Sequence, residues 1–238
     1  MQLCIDAGNT KIKYAVFNKR KMVFKTISDG FDEAILSEII GKYKPESAIV
    51  SSVRVIPKLW LKSLQLIKTT VLTHQTPLPI QLDYKTPDSL GRDRIAVAVA
   101  AFTKYPEQNS LIINAGTCIT FDIVTEKGVY KGGAIAPGIE MRYKAMHKFT
   151  AKLPYVTNRA IVRITGKSTE ESLNAGVLNH VCFEIEGAIS FYSSHFKNLK
   201  VLVTGGDSSF LAKRLKNSIF AAPDLVLTGL NEILLYNA

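Results

Sequence analysis

The sequence predicts an α/β protein with an internally duplicated fold. Stretches of alternating apolar and polar residues, typical of strands, are interleaved with stretches whose apolar residues recur at helical spacing. The run Cys-Ile-Asp-Ala-Gly-Asn-Thr at 4–10 has a near-copy, Ile-Ile-Asn-Ala-Gly-Thr, at 112–117. A third apolar run, at 200–204, also ends in a small-residue turn, Gly-Gly-Asp at 205–207. The repeated pattern indicates one such hairpin in each half of the chain.

The first half begins with a predicted strand, a tight turn and a second strand. An apolar run at 3–5, turn-forming residues at 6–10 and an alternating run at 12–16 make up this hairpin. Apolar residues at helical spacing predict a helix over 31–43, which ends before Pro45. The other elements predicted for this half are a strand at 47–51, a helix at 57–67, a strand at 70–73, an extended connection at 77–79 and a buried, Ala-rich helix at 92–105.

The second half repeats this opening, with predicted strands at 111–113 and 118–124. The run Lys-Gly-Gly-Ala-Ile-Ala-Pro-Gly-Ile-Glu-Met at 131–141 permits a ligand to approach the backbone closely at its glycines, although a structural cluster of turns explains them equally well. The other elements predicted here are a helix at 141–146, a helix with Ser168 or Thr169 as its N-cap, a strand at 200–204 and a helix at 208–215.

The composition is that of a folded protein of one or two domains. Of 238 residues, 47% are hydrophobic and 21% are charged, which excludes a disordered chain. The longest uncharged apolar stretches, such as 95–102, are shorter than the ~18 residues of a membrane-spanning helix, so no membrane partner is expected. The start, Met-Gln-Leu-Cys-Ile-Asp, has no signal-peptide pattern, and three cysteines without a Cys-x-x-Cys pair suit a reducing compartment. We therefore expect a cytoplasmic protein without a disulfide framework or a zinc cluster.

The net charge is strongly positive. Thirty Lys and Arg residues against twenty Asp and Glu give +10, which would attract polyanions from nucleic acids to nucleotide phosphates. The basic residues are dispersed, and no zinc-finger spacing or aromatic RNA-binding motif accompanies them. We therefore do not expect sequence-specific binding to nucleic acid.

The first small-residue turn is a candidate phosphate site. Gly8 has no side chain to keep a polyphosphate away from the backbone, and Thr10 can donate its hydroxyl. Lys11 and Lys13 supply positive charge, and Asp6 is suited to hold Mg²⁺ through water. The alternative is that Asp6 and its neighbours only form the turn. The copies at 114–117 and 205–207 favour the phosphate interpretation, with three such turns closing around one nucleotide.

The polar segment 83–94 is a candidate substrate site. It brings Gly91, Asp93 and Arg94 to the start of the predicted helix. Asp93 is suited to accept a hydroxyl proton, and Arg94 to orient an anionic group. The alternative is that Asp93 only favours the helix N-terminus while Arg92 and Arg94 are solvated, and the segment alone favours this alternative.

Two other patterns do not indicate sites. Thr-Gly-Lys-Ser-Thr at 165–169 looks like the end of a P-loop, but the required earlier glycine is replaced by Ile161. The four histidines lie far apart without ligand spacing, which disfavours a metal centre or a catalytic triad.

Several short motifs, taken in order along the chain, resemble the type III pantothenate kinases. They are Asp-x-Gly-Asn-Thr at 6–10, Gly-x-Asp-Arg at 91–94, x-Ala-Gly-Thr at 114–117, Gly-Gly-x-Ile-x-Pro-Gly at 132–138, Thr-Gly-x-x-Thr-x-x-Ser-x-x-x-Gly at 165–176 and Gly-Gly-Asp at 205–207. The resemblance covers nearly the whole chain. It implies two duplicated ribonuclease-H-like lobes of the actin-like ATPase type, at 1–108 and 109–238, with a nucleotide cleft between them, and a homodimer.

The resemblance also implies a reaction and its residues. The reaction is ATP-dependent phosphorylation of pantothenate to 4'-phosphopantothenate, the first step of coenzyme A biosynthesis, with Mg²⁺ and with Asp93 as proton acceptor. The implied ATP-binding residues are Asp6, Ala7, Gly8, Asn9, Thr10, Lys11, Ile12, Lys13 and Thr117. The implied pantothenate-binding residues are Tyr84, Gly91, Arg92, Asp93, Arg94 and Thr169, the last contributed by the partner subunit.

The chain departs from the family pattern at two positions. Family members usually carry Asp where this chain has Asn114, and that Asp is implied to hold an activating K⁺ or NH₄⁺. A neutral amide oxygen attracts a cation less than a carboxylate does, so we expect weakened or absent activation by potassium. His180 stands where a glycine is common in the family.

Two other functions are compatible with the same motifs. One is a non-catalytic, nucleotide-binding transcriptional accessory factor, whose basic charge would allow contact with a polyanion. The other is a related kinase that acts on a sugar or on acetate. The presence of both Asp6 and Asp93 argues against the first, and the Gly-x-Asp-Arg motif at 91–94 argues against the second.

Overall fold

Residues 1–160, 163–216 and 219–238 are described by the structure, a computed structural model. Its strands are β1 (Gln2–Ala7), β2 (Ile12–Asn18), β3 (Lys21–Ser28), β4 (Ser47–Ser52), β5 (Lys68–Val71), β6 (Gln81–Leu82), β7 (Ser110–Ala115), β8 (Cys118–Val124), β9 (Val129–Pro137), β10 (Lys200–Thr204) and β11 (Phe220–Ala221). Its α-helices are α1 (Glu33–Tyr43), α2 (Lys58–Leu64), α3 (Arg92–Lys104), α4 (Ile139–Phe149), α5 (Thr169–Asn174), α6 (His180–His195), α7 (Ser208–Ala212) and α8 (Leu225–Tyr236). A π-helical turn, Ala175–Asn179, joins α5 to α6.

The chain divides into two units, and the first contains residues 1–107, 124–132 and 224–238. Its five-stranded sheet has the order β3-β2-β1-β4-β5, with β1 antiparallel to β2 and parallel to β4. Buried side chains of β1, β2, α1 and α2 form one core. Helix α8 packs against α3, β1 and β4. Gly229 permits the contact with α3, since a Cβ there would lie 1.8 Å from the Ala96 carbonyl oxygen.

The second unit contains residues 108–123 and 133–223. Its strands follow the order β11-β10-β7-β8-β9, and β10 is parallel to β7. The buried residues of these strands share one core with those of α4, α5 and α6. The start of β9 belongs to the first unit, where Val129 and Tyr130 pair with β6.

The two predicted hairpins are confirmed as β1–β2 and β7–β8. The predicted helices at 31–43 and 92–105 are confirmed as α1 and α3. The elements that were not predicted include the edge strand β3, the strand β9, the two-residue strands β6 and β11 and the C-terminal helix α8. Strand β9 contains residues 131–137 of the glycine-rich run at 131–141, for which the sequence left open either close approach of a ligand or a cluster of turns. A Cβ on Gly133 would lie 1.6 Å from the Phe121 carbonyl oxygen, so glycine is required there by a close backbone neighbour rather than by a turn.

The expected lobes at 1–108 and 109–238 stay a prediction about domains. The first boundary between the two units described above falls after residue 107. Residues 124–132 and 224–238 also belong to the N-terminal unit. Within the described part of the chain, none of the helices is both long and apolar enough to cross a membrane.

Candidate active site

The first small-residue turn closes the hairpin of β1 and β2. The register pairs Asp6 with Lys13 and Ala7 with Ile12. The Gly8 N–H donates to the Lys11 carbonyl oxygen at 3.1 Å, so this donor is used within the turn rather than by a ligand. A Cβ on Gly8 would lie 3.2 Å from the same oxygen, which explains why the turn begins with glycine.

Asp6 is a buried carboxylate near the end of β1, with 8% of its surface exposed. Burial raises its pKa to about 6, the positive charge of Lys13 lowers this pKa, and the negative charge of Asp93 raises it. The fold therefore places Asp93 within electrostatic range of Asp6, although the two carboxylates are 87 positions apart, from 6 to 93. This pairing connects the candidate phosphate turn with the candidate substrate segment.

Lys11 has an acidic partner that the sequence did not indicate. Its ammonium group forms an ion pair with Asp29, which follows β3. This contact with Lys11 lowers the pKa of the Asp29 carboxyl. The Lys11 side chain is therefore held at an acid of the neighbouring loop.

The candidate substrate segment ends at the N-terminus of α3. Gly91 occupies the N-cap position, and a Cβ there would lie 2.7 Å from Oδ1 of Asp93. Glycine at this position therefore leaves room for the carboxylate. Arg92 donates through Nη1 to the Leu90 carbonyl oxygen at 2.7 Å and through Nη2 to that of Asp88 at 3.0 Å. Its guanidinium thus holds the loop that precedes the helix.

Arg94 is buried, contrary to the alternative in which it is solvated. Its guanidinium carbon lies 5.9 Å from the centre of the Tyr84 ring, and that ring lies beside Gly132. Gly132 has a φ of +84°, a conformation that favours glycine. The first unit therefore brings Tyr84, Gly91 and Arg94 together with Asp93.

The second small-residue turn lies in the second unit and is also closed by a glycine N–H, although this bond spans one residue fewer than in the first turn. The Gly116 N–H donates to the Cys118 carbonyl oxygen at 2.9 Å. The Gly-Gly-Asp turn packs on it, since the Asp207 N–H donates to the Ala115 carbonyl oxygen at 3.1 Å. Gly205 has a φ of +92°, and a Cβ there would lie 2.2 Å from that same oxygen. The two turns predicted for the second half are therefore in contact.

Further predicted residues also lie in the second unit. Asn114 pairs with Thr204 of the neighbouring strand, and the Gly138 N–H donates to the Thr117 carbonyl oxygen at 3.2 Å. Thr169 begins α5, whose N-cap Ser168 accepts from the Glu171 N–H, as the sequence predicted. Thr169 lines a cavity of about 680 Å³.

Asp6 fits a water-mediated Mg²⁺ site. Within the described ranges, His, Cys, Asp and Glu side chains form no group of three that would bind a metal ion by themselves. Mg²⁺ is commonly held by one or two carboxylates together with water and substrate phosphates. A buried carboxylate beside a candidate phosphate turn satisfies this requirement.

Comparisons with known proteins agree with these features. The family model for type III pantothenate kinase matches residues 2–190. The chain is 44% identical over 243 residues to the type III pantothenate kinase of Christiangramia forsetii, with 100% of this chain and 99% of that protein covered. The chain belongs to the type III pantothenate kinase family.

Solved structures show the fold of this pantothenate kinase family member. A Campylobacter jejuni protein assigned to the Baf family of transcriptional activators is similar with a TM-score of 0.67 at 23% identity, covering 99% of this chain and 98% of that one. Glucokinase from an Antarctic psychrotroph is similar with a TM-score of 0.55 at 14% identity, covering 100% and 99%. Identities this low show the fold alone. The predicted fold class, duplicated α/β lobes of the actin-like ATPase type, is confirmed.

Two residues at the first turn were not found from the sequence. They are Asp29, which binds Lys11, and Arg54, whose guanidinium donates to the Asn9 carbonyl oxygen. Neither residue belongs to a motif, and both contacts join distant segments. The charges around the turn could therefore be identified only after the sheet was known.

Proposed function

We propose that this chain transfers the γ-phosphoryl group of ATP to the hydroxyl of pantothenate, with Asp93 as the proton acceptor. Membership of the type III pantothenate kinase family supports the reaction, which yields 4'-phosphopantothenate for coenzyme A biosynthesis. The observation that supports Asp93 most strongly is its position beside Gly91 at the start of α3, within electrostatic reach of Asp6.

Phosphoryl transfer to an alcohol depends mainly on positioning and on neutralising charge. Asp93 accepts the proton of the hydroxyl as its oxygen attacks the γ-phosphorus, and the bond from that phosphorus to the bridging oxygen breaks, so that ADP leaves. Arg94, held against Tyr84, orients the carboxylate of pantothenate through charge-assisted hydrogen bonds. Gly91 and Arg92 fix the loop that leads into α3, whose first turn contains Asp93, and Thr169 of the partner subunit completes the pantothenate site.

ATP binds through residues 6–13 and Thr117 in this proposal. Asp6 holds Mg²⁺ through water, and Lys13 balances the buried charge of Asp6. Bound Mg²⁺ would neutralise negative charge on the phosphates during transfer. At the second turn, the neutral Asn114 provides a poor site for K⁺ or NH₄⁺. Dimerisation and a cytoplasmic location remain predictions.

The reaction is tested by measuring ATP consumption by the purified protein with pantothenate, glucose, glycerol or acetate in the presence of Mg²⁺. We expect turnover with pantothenate alone, and 4'-phosphopantothenate detected by mass spectrometry. Turnover with glucose or acetate instead would identify a different kinase. Binding of ATP without turnover in any mixture, together with salt-sensitive DNA binding, would support the regulatory alternative.

A further inference from the structure

The first turn has a cationic neighbour outside its own hairpin, Arg54. Strand β4 runs parallel to β1, and the register pairs Asp6 with Ser51 and Ala7 with Ser52. The chain then continues beside the turn, since the Val53 N–H donates to the Ala7 carbonyl oxygen at 3.2 Å. The loop after β4 therefore leaves the sheet at the same end as the turn.

The backbone at Arg54 is fixed by Ser52. The Ser52 hydroxyl donates to the Arg54 carbonyl oxygen at 2.7 Å and accepts from the Arg54 N–H at 3.0 Å. From this position the Arg54 Nη2 donates to the carbonyl oxygen of Asn9 in the turn. Both ends of the arginine are therefore anchored, and little side-chain entropy remains to be lost when a ligand binds.

The charge balance around the turn favours a role for this arginine. The ammonium of Lys11 is already paired with Asp29, and Lys13 compensates the buried charge of Asp6. A guanidinium has five N–H donors in a planar fork, and the bond to Asn9 uses one of its nitrogen atoms. The fork matches the spacing of phosphate oxygens.

We propose that Arg54 binds the polyphosphate of the nucleotide at the first turn. Its fork donates charge-assisted hydrogen bonds to phosphate oxygens while one nitrogen stays on the Asn9 carbonyl oxygen. This proposal deepens the proposed function by adding a nucleotide-binding residue, and it rests on that function only in taking ATP as the ligand.

The test compares the affinities of the full-length protein for ATP and for adenosine, with Mg²⁺ present. ATP is titrated calorimetrically, and adenosine is measured by displacement of ATP. We expect Arg54→Gln to weaken ATP binding roughly tenfold and to change adenosine binding less than about twofold, because adenosine has no phosphate. Arg54→Lys keeps the charge but loses the fork, and we expect an intermediate loss of about threefold for ATP.

Lys58→Gln is the matched control. Lys58 is an exposed cation four residues further along the same segment, so its removal changes the net charge equally. We expect less than about a twofold effect on ATP affinity, since exposed charges at a distance are screened by salt. A cooperative thermal unfolding transition shows that a variant is folded. If Arg54→Gln does not fold, the ATP and adenosine affinities of Arg54→Lys test the proposal instead.

Three results would overturn the proposal. They are unchanged ATP affinity in Arg54→Gln, an equal loss for ATP and adenosine, and an equal loss in Lys58→Gln. An equal loss for both ligands would show that Arg54 only braces the turn. The test measures ATP affinity, so its result does not depend on which acceptor is phosphorylated. A wild-type protein that binds ATP but does not phosphorylate pantothenate would contradict the proposed function, and the same comparison of ATP affinities would still decide the role of Arg54.

Discussion

The two small-residue turns of this protein share a backbone arrangement. In the first, the Gly8 N–H closes the turn and the Ala7 carbonyl oxygen accepts from Val53, on the loop after the parallel strand β4. In the second, the Gly116 N–H closes the turn and the Ala115 carbonyl oxygen accepts from Asp207, on the loop after the parallel strand β10. The duplication seen in the sequence is therefore a duplication of strand, turn and neighbouring loop.

The charges of the two turns differ. The first has the buried carboxylate Asp6 within its strand and the cation Arg54 on the neighbouring loop. The second has the neutral Asn114 at the equivalent strand position and the acid Asp207 on the loop. Burial raises the pKa of Asp207 above its ordinary value, and the positive charge of Arg159 reduces this increase. The duplication thus gives the two turns similar backbones. The difference in charge between them favours phosphate and Mg²⁺ binding at the first turn.

The largest expected effect comes from Asp93, the proposed proton acceptor beside the first turn. We expect Asp93→Asn to lower turnover by on the order of 10²–10⁴, because the amide cannot accept the hydroxyl proton, while ATP affinity changes little. Steady-state rates with pantothenate and a separate ATP titration measure the two effects.

Asp88→Asn is the control for this variant, since Asp88 is an exposed acid in the loop that precedes α3. Its turnover should match that of the wild type. Near-wild-type turnover in Asp93→Asn would remove Asp93 from the mechanism and with it the functional link between the first turn and the substrate segment.

The contact between the second turn and the Gly-Gly-Asp turn should be sensitive to a methyl group added at Gly205. Gly205→Ala would place a Cβ 2.2 Å from the Ala115 carbonyl oxygen at a φ of +92°, and we expect a loss of about 2–4 kcal/mol in the free energy of unfolding. Gly206→Ala is the control, because its Cβ would have no heavy atom within 4 Å. Urea unfolding that gives the two variants equal stability would contradict the packing of the two turns.

The buried, ionised carboxylate of Asp6 should destabilise the folded protein when no metal ion is bound. Burial raises its pKa from 3.8 to about 6, so the folded state binds the proton more tightly than the unfolded state does. The stability from this proton is complete below about pH 4 and is lost as the pH rises through about 6. At pH 7.5 we expect Asp6→Asn to be more stable than the wild type by about 1–3 kcal/mol.

Unfolding by urea at several pH values in the presence of a chelator measures this effect. The difference between the wild type and Asp6→Asn should grow between pH 4 and pH 7. We also expect the variant to lose Mg²⁺-dependent ATP binding. A variant that is less stable than the wild type at pH 7.5 would show that contacts of the ionised carboxylate outweigh its burial.

The sequence contained enough information to locate the turns but not the residues that contact them in the folded chain. Strands β1, β2, β7 and β8 were predictable because alternation and turn residues are local signals. The electrostatic effect of Asp93 on Asp6 and the hydrogen bond from Arg54 to Asn9 depend on which strands and helices pack together. Such contacts have no pattern in a single sequence, and the candidate substrate residues were joined to the first turn only by resemblance to a family.

Missed elements have a related explanation. Edge strand β3 alternates between exposed and half-buried residues, so its apolar signal is weak. Glycine at Gly133 is explained by its close approach to the backbone of Phe121, which local turn rules do not anticipate. The ion pair of Lys11 with Asp29 joins residues 18 positions apart, and no motif indicated it. Tertiary contacts therefore decided each of these outcomes.

The smallest expected effect concerns monovalent cations at the second turn. The family resemblance implies that an Asp at the position of Asn114 holds an activating K⁺ or NH₄⁺, and an amide oxygen attracts a cation less than a carboxylate does. We expect rates in sodium, potassium and ammonium salts to agree within about twofold at equal ionic strength. Asn114→Asp should introduce stimulation by potassium, because it gives the second turn the charge that Asp6 gives the first. Strong potassium stimulation of the wild type would show that neutral oxygens suffice for the cation, and the charge difference between the turns would then not explain their separate roles.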